Sequence, residues 1–328
     1  MNENKVTTQP RARRPKVCAV ALVLPLLVVG ACGTDSGVRA PGDTGRPTDS
    51  PTGGGSPGTA PATPAPSTGT PGTGSATPRP STSRPAAPSA ARTVRTGVYF
   101  LHGEHVSAVP RTVTAPSTAA GAVRALLAGP GRYERAHDRT TAIPSGTALR
   151  SVAVRDRVAT VDLSGRYDDG GGSLSMRARL AQVVFTVTRY PTIDKVRFAL
   201  DGKPVTSFGG EGIVLEKPVG RADFEDLAPA VLVEAPMTGD TVRSPVRVWG
   251  SANTFEAEFR LKVTDASGRT ATDVQVRATS GTGTRGSFDV TIPYRATRSG
   301  GGLLTAYYLS PEDGRPVTVD TVPLSVKR

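Results

Sequence analysis

Cysteine is nearly absent from this 328-residue chain: there are two, Cys18 and Cys32, beside one tryptophan, three methionines and three histidines. Both cysteines precede residue 33. The chain beyond them therefore has no disulfide, no thiolate metal ligand and no cysteine nucleophile, which removes whole classes of mechanism. Aromatic residues make up 5%, and no basic run is interleaved with them, which argues against a nucleic-acid surface despite the +12 formal charge. Long apolar runs are missing too. The longest, VCAVALVLPLLVV from Val17 to Val29, is 13 residues and is interrupted by Pro25, short of the roughly 20 that span a bilayer as a helix.

What stands at the amino terminus reads as an export signal. Lys5, Arg11, Arg13, Arg14 and Lys16 form a positive n-region before that apolar run, and Gly30-Ala31-Cys32 follows it. VGAC at 29–32 resembles the bacterial lipobox. The resemblance implies cleavage between Ala31 and Cys32 and a diacylglyceryl group on the Cys32 thiol. Residues 1–31 are thus expected to be a lipoprotein signal peptide. A second acyl chain makes anchoring stable where one is marginal, because each buried CH₂ adds about 0.8 kcal/mol. Residues 1–31 hold five Lys/Arg and one Glu, so their removal takes the charge from +12 to +8. That excess suits an anionic membrane or wall surface.

From Gly33 to Arg92 the chain is Gly, Pro, Ser, Thr and Ala with scattered charges, holding much of the total of 37 Gly and 29 Pro. Such a composition cannot bury enough apolar surface to offset its ordering entropy. Residues 32–92 are expected to be the lipid anchor and a disordered linker, with a reach of about 40 Å as a flexible coil.

Alternation begins at Thr93. TVRTGVYFL and VSAVPRTV read as two strands. A helix follows, with Ser117 at its N-cap, Val123, Leu126 and Leu127 on its apolar stripe and Gly129-Pro130 as its stop. LRSVAVRD and RVATVDLS alternate about a tight Arg-Asp-Arg turn. A second helix is predicted from Ser173 to Tyr190, with Met176, Leu180, Val183, Val184 and Val187 on one buried face, and IDKVRFAL closes the unit as a strand. Residues 93–208 are thus expected to be an α/β domain, a mixed sheet with two helices covering one side.

After a connector over 209–227 the helical period disappears. AVLVEAP, PVRVWGSA, EAEFRLKVTD, DVQVRATS, SFDVTIPY, GLLTAYYLS and PVTVDTVPLSV are seven short alternating segments. Residues 228–328 are expected to be an all-β immunoglobulin-like sandwich with Trp249 as its core plug.

Candidate chemistry is sparse. HGEH puts His102, Glu104 and His105 together, but the histidines are three apart in a predicted hairpin turn, whereas zinc peptidases place two histidines four apart on a helix. The His-x-Glu of nucleobase deaminases needs a later Cys pair. GTGTRG at 281–286 precedes a strand rather than opening a helix, so it is read as a loop and not as a nucleotide fingerprint. Gly170–Gly172 read as a flexible lead-in, Asp156, Asp168 and Asp169 as turn carboxylates, and His137 lies near no nucleophile elbow. No catalytic residue, metal or cofactor is expected. Tyr307 and Tyr308 are candidates for contact with a wall glycan, with one of the two buried by alternation.

VYFLHGEHVSAVPRTV, AVRALLAGP, IPSGTALRSVAVRDRVATVDLSG and LAQVVFTVTRYPTIDKVRFALDGK together resemble the GerMN domain of sporulation and spore-germination proteins. EAPMTGDTVRSPVRVWGSANTFEAEF and LLTAYYLSPEDGRPV resemble the immunoglobulin-like domain found beside it, except that its usual Phe-Glu-Gly is here Phe255-Glu256-Ala257. The resemblance implies a non-catalytic lipoprotein of the bacterial envelope, held at the extracytoplasmic face of the cell membrane. Its expected partners are envelope proteins in an assembly or signalling role, with a peptidoglycan or cell-wall glycan as the alternative.

Overall fold

β1 (Thr93–His102) and β2 (His105–Thr114) pair in register from Thr93↔Thr114 to His102↔His105, so only Gly103 and Glu104 form the turn. Gly103 takes a positive φ at the first turn position, the place where a two-residue type II′ turn needs glycine. The computed structural model describes residues 92–209 and 212–328. The expected signal peptide, the Cys32 anchor and nearly all of the linker lie outside the described residues.

Helix α1 (Thr118–Leu127) starts where expected. Ser117 occupies the N-cap without a side-chain cap bond, and Gly129 turns left-handed just past the end. A short helix α2 (Arg132–Arg135) and β3 (Arg139–Thr140) follow, and β3 pairs with the end of β1. β4 (Leu149–Arg155) and β5 (Val158–Leu163) meet at Asp156-Arg157, both with positive φ. Helix α3 spans Ser173–Val187 and leads to β6 (Lys195–Leu200), which lies parallel to β5. β7 (Lys203–Pro204) returns antiparallel to β6, and β8 (Ser207–Phe208) pairs with β9 (Ile213–Val214).

The first domain has one sheet of order β2-β1-β3 and a mixed sheet of order β4-β5-β6-β7. α3 does not cover one side of a single sheet with one buried face. It packs against β1, β2, β6 and α1, and nearly every residue from Met176 to Val187 is buried. Gln182 and Thr186 are among the residues so buried, and both are bonded. The Thr186 hydroxyl accepts the Tyr99 N–H at 3.0 Å, and the Gln182 amide donates to the Tyr99 carbonyl at 3.1 Å. They satisfy the edge of β1 at a position where β3 does not reach, as buried backbone groups require. The helix also ends at Val187 rather than Tyr190, with the Thr188 hydroxyl donating to the Val184 carbonyl at 2.7 Å.

The segment after β9 packs Leu215, Phe224, Leu227 and Ala228 into the first domain's core, the last residues coming from a 3-10 turn at Arg221–Leu227. The second domain then forms β10 (Val231–Ala235), β11 (Thr241–Val242), β12 (Val246–Ala252), β13 (Glu258–Thr264), β14 (Thr270–Arg277), β15 (Gly286–Ile292), β16 (Gly300–Leu309) and β17 (Pro316–Val326). All seven expected strands are present, and β11 adds a short parallel pair with β17. Sheets β10-β12-β15 and β11-β17-β16-β13-β14 enclose one core, where Phe259 and Phe288 meet edge to face at 4.9 Å.

Trp249 is not the plug of that core. Val246, Val248, Gly250 and Ala252 of β12 are buried while Trp249 is half-buried, pointing away from the sandwich because side chains alternate along a strand. The described residues of both domains belong to one compact unit. Leu232 and Met237 of the second domain are buried in the same cluster as the first domain's core.

Candidate functional site

The histidine-bearing turn is a hairpin end, as its glycine predicted. His102 reaches 3.9 Å from the Asp320 carboxylate of the second domain, while Glu104 and His105 are exposed. The His137 ring lies tilted against Tyr133, with ring centres 4.2 Å apart, and its Nδ1 meets the Tyr133 carbonyl at 2.8 Å. Asp168 accepts the Gly209 N–H at 2.8 Å, and the Asp169 carbonyl accepts a bond from Arg179 at 3.1 Å. Asp156 sits in the β4–β5 turn. The GTGTRG stretch is a loop that leads into β15, and its Gly283 N–H donates to the Asn253 side chain at 2.9 Å. These residues stay in separate places, and no catalytic constellation forms among them.

The main polar cluster joins the domains through residues that the sequence did not single out. Glu234 of β10 is 5% exposed and lies between two arginines of the first domain. Arg189 donates to Glu234 Oε2 at 2.7 Å, and Arg221 donates to Oε1. Both guanidiniums also reach the Tyr99 hydroxyl, at 3.0 and 3.3 Å. Arg221 donates further to the Thr188 hydroxyl at 2.9 Å and the Phe185 carbonyl at 3.2 Å. Burial pushes the Tyr99 phenol up to about 12, and the Glu234 charge adds to the rise. Burial works against the Arg221 charge, but Tyr99 and Glu234 offset it and its pKa stays above the ordinary guanidinium value.

Three further contacts cross the same boundary. Arg95 pairs with Asp240. Arg139, 1% exposed, donates to Ser107 at 3.1 Å and to the Thr321 carbonyl at 2.6 Å. Arg285 of the GTGTRG loop binds Glu225 at 2.9 Å and the Pro229 carbonyl at 2.9 Å. Burial opposes the Glu225 charge, yet the Arg285 and Asn253 hydrogen bonds hold its carboxyl below the usual range. Of these pairs, the two on Glu234 are buried; such a pair contributes little net stability against apolar packing but makes separation costly, since parting leaves charges unpaired. They hold two domains in one arrangement.

One groove of the second domain, of about 220 Å³ at the end of its five-stranded sheet, is lined by Phe255, Glu256, Glu258, Arg260, Tyr308 and Leu309 among others. Phe255 is 60% and Leu309 53% exposed, two of the few large apolar side chains so placed among the described residues. The 3-10 turn Phe255–Ala257 presents Phe255, and both Glu256 and Ala257 take positive φ, at 52° and 60°. Left-handed non-glycine residues are strained, and such strain gathers at binding and switch sites. The departure from Phe-Glu-Gly thus falls where glycine would be unstrained. Of the tyrosine pair, Tyr308 packs toward the core at the groove wall. Tyr307 lies on the other face, its hydroxyl donating to Asp273 at 2.7 Å and accepting from Arg260 at 2.9 Å.

Residues 97–206 match the Germane family, described as sporulation and spore germination. Residues 230–315 match Gmad2, the immunoglobulin-like domain of bacterial spore germination. No curated protein sequence matches the chain. Among solved structures, a provisionally named lipoprotein from Clostridium perfringens is similar at 22% identity over 42% of this chain and 93% of its own, with a TM-score of 0.31. The tandem GerMN domains of the sporulation protein GerM from Bacillus subtilis are similar at 15% identity over 62% of each chain, TM-score 0.34. The first GerMN domain of that protein gives 20% identity over 40% of this chain and 99% of its own, TM-score 0.32.

Proposed function

We propose, from the premise that this chain joins a Germane domain to a Gmad2 immunoglobulin-like domain of the sporulation and germination type, that it is a non-catalytic, lipid-anchored binding module of the bacterial envelope. Cys32 carries the acyl chains, the linker sets the reach, and the joined domains present one surface to an envelope protein. Confinement by the tether raises the effective concentration of that surface near membrane partners.

The observation that carries this reading is the Phe255–Leu309 groove. Exposed apolar side chains grouped in one concave place mark interaction sites rather than ordinary surface. Glu256 at its rim favours a protein segment that places an apolar side chain in the groove and a Lys or Arg beside it, while Glu258 is already bonded to Arg277 and Gln275. A wall glycan ranks second, because Tyr307 has its hydroxyl engaged by Asp273 and Arg260.

The test is a photo-crosslinking residue at position 255 of the anchored full chain in its native cells, with position 133, an exposed tyrosine of the first domain, as control. The expected product is a crosslink to an extracytoplasmic protein segment holding an apolar residue near a basic one, absent from the position-133 sample. Crosslinks to glycan strands or lipid alone, or equal yields at both positions, overturn the reading. Separately, Cys32→Ser is expected to move the chain from the membrane to the soluble fraction and to block processing.

A further inference from the structure

The outer face of the β4-β5-β6 sheet has an uncommon arrangement of charge. Ala159, Val161, Leu163, Val196 and Phe198 turn inward to the core, which puts the alternate residues outside. Register then places Arg155, Val158 and Lys195 in one row across the three strands, and Ala153, Thr160 and Arg197 in the next. Arg155, Lys195 and Arg197 are all exposed. None of them enters an ion pair among the described residues, while their neighbours Arg150 and Arg157 pair with Asp201 and Asp194.

Between these cations the floor is small. Ala153, Val158 and Thr160 form the base of a shallow trough of about 460 Å³ walled by Arg155 and Arg197. Two carboxylates lie near: Asp156 at one end of the trough, and Asp162, which accepts the Gly202 N–H at 3.1 Å. Arg155 lies across β5 from the other two, and Lys195 and Arg197 are two apart on β6, so each cation faces an uncharged residue of β5 and the folded domain gains no ion pair from the trio. Other exposed arginines without ion pairs, such as Arg243, Arg295 and Arg298, lie outside the regular strands and share no sheet face.

We infer that the Arg155–Lys195–Arg197 face is a docking surface for an anionic phospholipid membrane, a contact separate from the lipid anchor. Charge complementarity names the ligand chemistry, the phosphodiester headgroup. The geometry favours a plane over a compact anion, because three cations spread across a flat sheet face with no bulky side chain to hold it off. Each basic side chain close to an anionic leaflet strengthens binding about fivefold, so the trio together contributes about a hundredfold. This surface depends on the proposed envelope location for its biological setting, but its test needs no anchor, so the two stand or fall apart.

The experiment is vesicle flotation of the chain from residue 32 onward carrying Cys32→Ser, with vesicles of phosphatidylcholine alone or three parts phosphatidylcholine to one part phosphatidylglycerol. Binding is expected on the mixed vesicles only, and it should fall as salt shortens the screening length from about 10 Å to about 3 Å. The triple variant R155Q/K195Q/R197Q should lose about a hundredfold in partitioning, and Asp156→Asn should gain. R243Q/R295Q/R298Q removes the same charge elsewhere and should bind more tightly than the sheet-face triple by at least tenfold, roughly. Equal flotation on both vesicle types, equal loss in both triple variants, or capture by soluble poly(glycerol phosphate) with no preference for phosphatidylglycerol overturns the proposal. That last outcome would assign the face to a wall polymer.

Discussion

The Arg189 guanidinium carbon lies 4.9 Å from the centre of the Trp249 ring, so a cation from the first domain covers the aromatic face of the second. The same side chain donates to Glu234 at 2.7 Å. Its head group is thus held by a carboxylate and an indole of one domain and by the Tyr99 hydroxyl of its own. A contact of this type contributes roughly 0.5 to 2 kcal/mol depending on how dry it is. Trp249 is also the sole tryptophan, which makes its emission a reporter on the domain boundary. Arg189→Ala is expected to shift that emission to the red and to raise acrylamide quenching, with the far-ultraviolet circular dichroism unchanged. Arg150→Ala, which breaks an exposed pair with Asp201, should leave both readings where they are. An unmoved emission in the Arg189 variant would mean that the stacked arrangement does not persist in solution.

Glu234 decides whether two buried guanidiniums are balanced. Its side chain is 7% exposed, against 12% for Arg189 and 28% for Arg221. Removing one partner of a buried pair costs several kcal/mol because the remaining charge stays desolvated. Glu234→Ala is therefore expected to lower unfolding free energy by about 3 kcal/mol, measured by urea denaturation. Glu234→Gln keeps an acceptor oxygen and should lose less. If the alanine variant matches the wild-type midpoint, the cluster is solvated and does not join the domains.

Much of the architecture was readable from local pattern. Seven β-segments separated by turn residues give the second domain, and Gly103 and the Arg-Asp-Arg turn mark two hairpins. What failed were readings by residue type. A lone tryptophan suggested a core plug, but the period of two that buries Val246 and Val248 already puts Trp249 outside. In α3, Arg179, Gln182 and Thr186 lie off the expected apolar face, yet they are buried and bonded to backbone. Nothing local reveals that a strand edge needs those bonds. The Tyr99–Arg189–Arg221–Glu234 cluster draws on positions far apart in the chain, and its members look like ordinary surface residues until tertiary structure brings them together. The groove was half legible: the Phe-Glu-Ala departure drew notice, but Leu309 joins it only through the sheet order.

Tyr99 gives the cluster a pH signature. Burial first, then the Glu234 charge, raise its phenol from 10 to about 12. A group whose folded pKa exceeds its unfolded value contributes stability that is complete below the unfolded value and lost as pH climbs through the folded one. The window is thus pH 10 to 12, and two units correspond to roughly 3 kcal/mol. Tyr167, also buried and with its phenol raised well above the usual value, titrates against the fold in the alkaline range too. Tyr99→Phe should therefore flatten the alkaline loss in part, at the expense of a lower plateau near neutrality, where the two arginine bonds to its hydroxyl are missing. Unfolding free energy followed from pH 8 to 12 in both proteins checks this, and parallel curves would show that Tyr99 ionises freely.

Ala257 offers a measure of the strain behind the groove. Its φ of 60° is left-handed, which costs an L-residue roughly 1–2 kcal/mol. Substitution by glycine removes that cost but gives up a buried methyl, about 0.8 kcal/mol, and adds roughly 0.4–1 kcal/mol of unfolded-chain freedom. The opposing contributions nearly cancel, so Ala257→Gly is expected to change stability by less than about 1 kcal/mol. Ala278 is equally buried and donates its N–H to the Ala257 carbonyl at 2.9 Å, but it is not left-handed. Ala278→Gly has no strain to relieve and should cost about 1–2 kcal/mol. The difference between the two variants in urea unfolding isolates the strain, because methyl loss and chain freedom are common to both. Equal costs would mean that the Phe255–Ala257 turn relaxes to ordinary backbone and that Phe255 is not held outward by it.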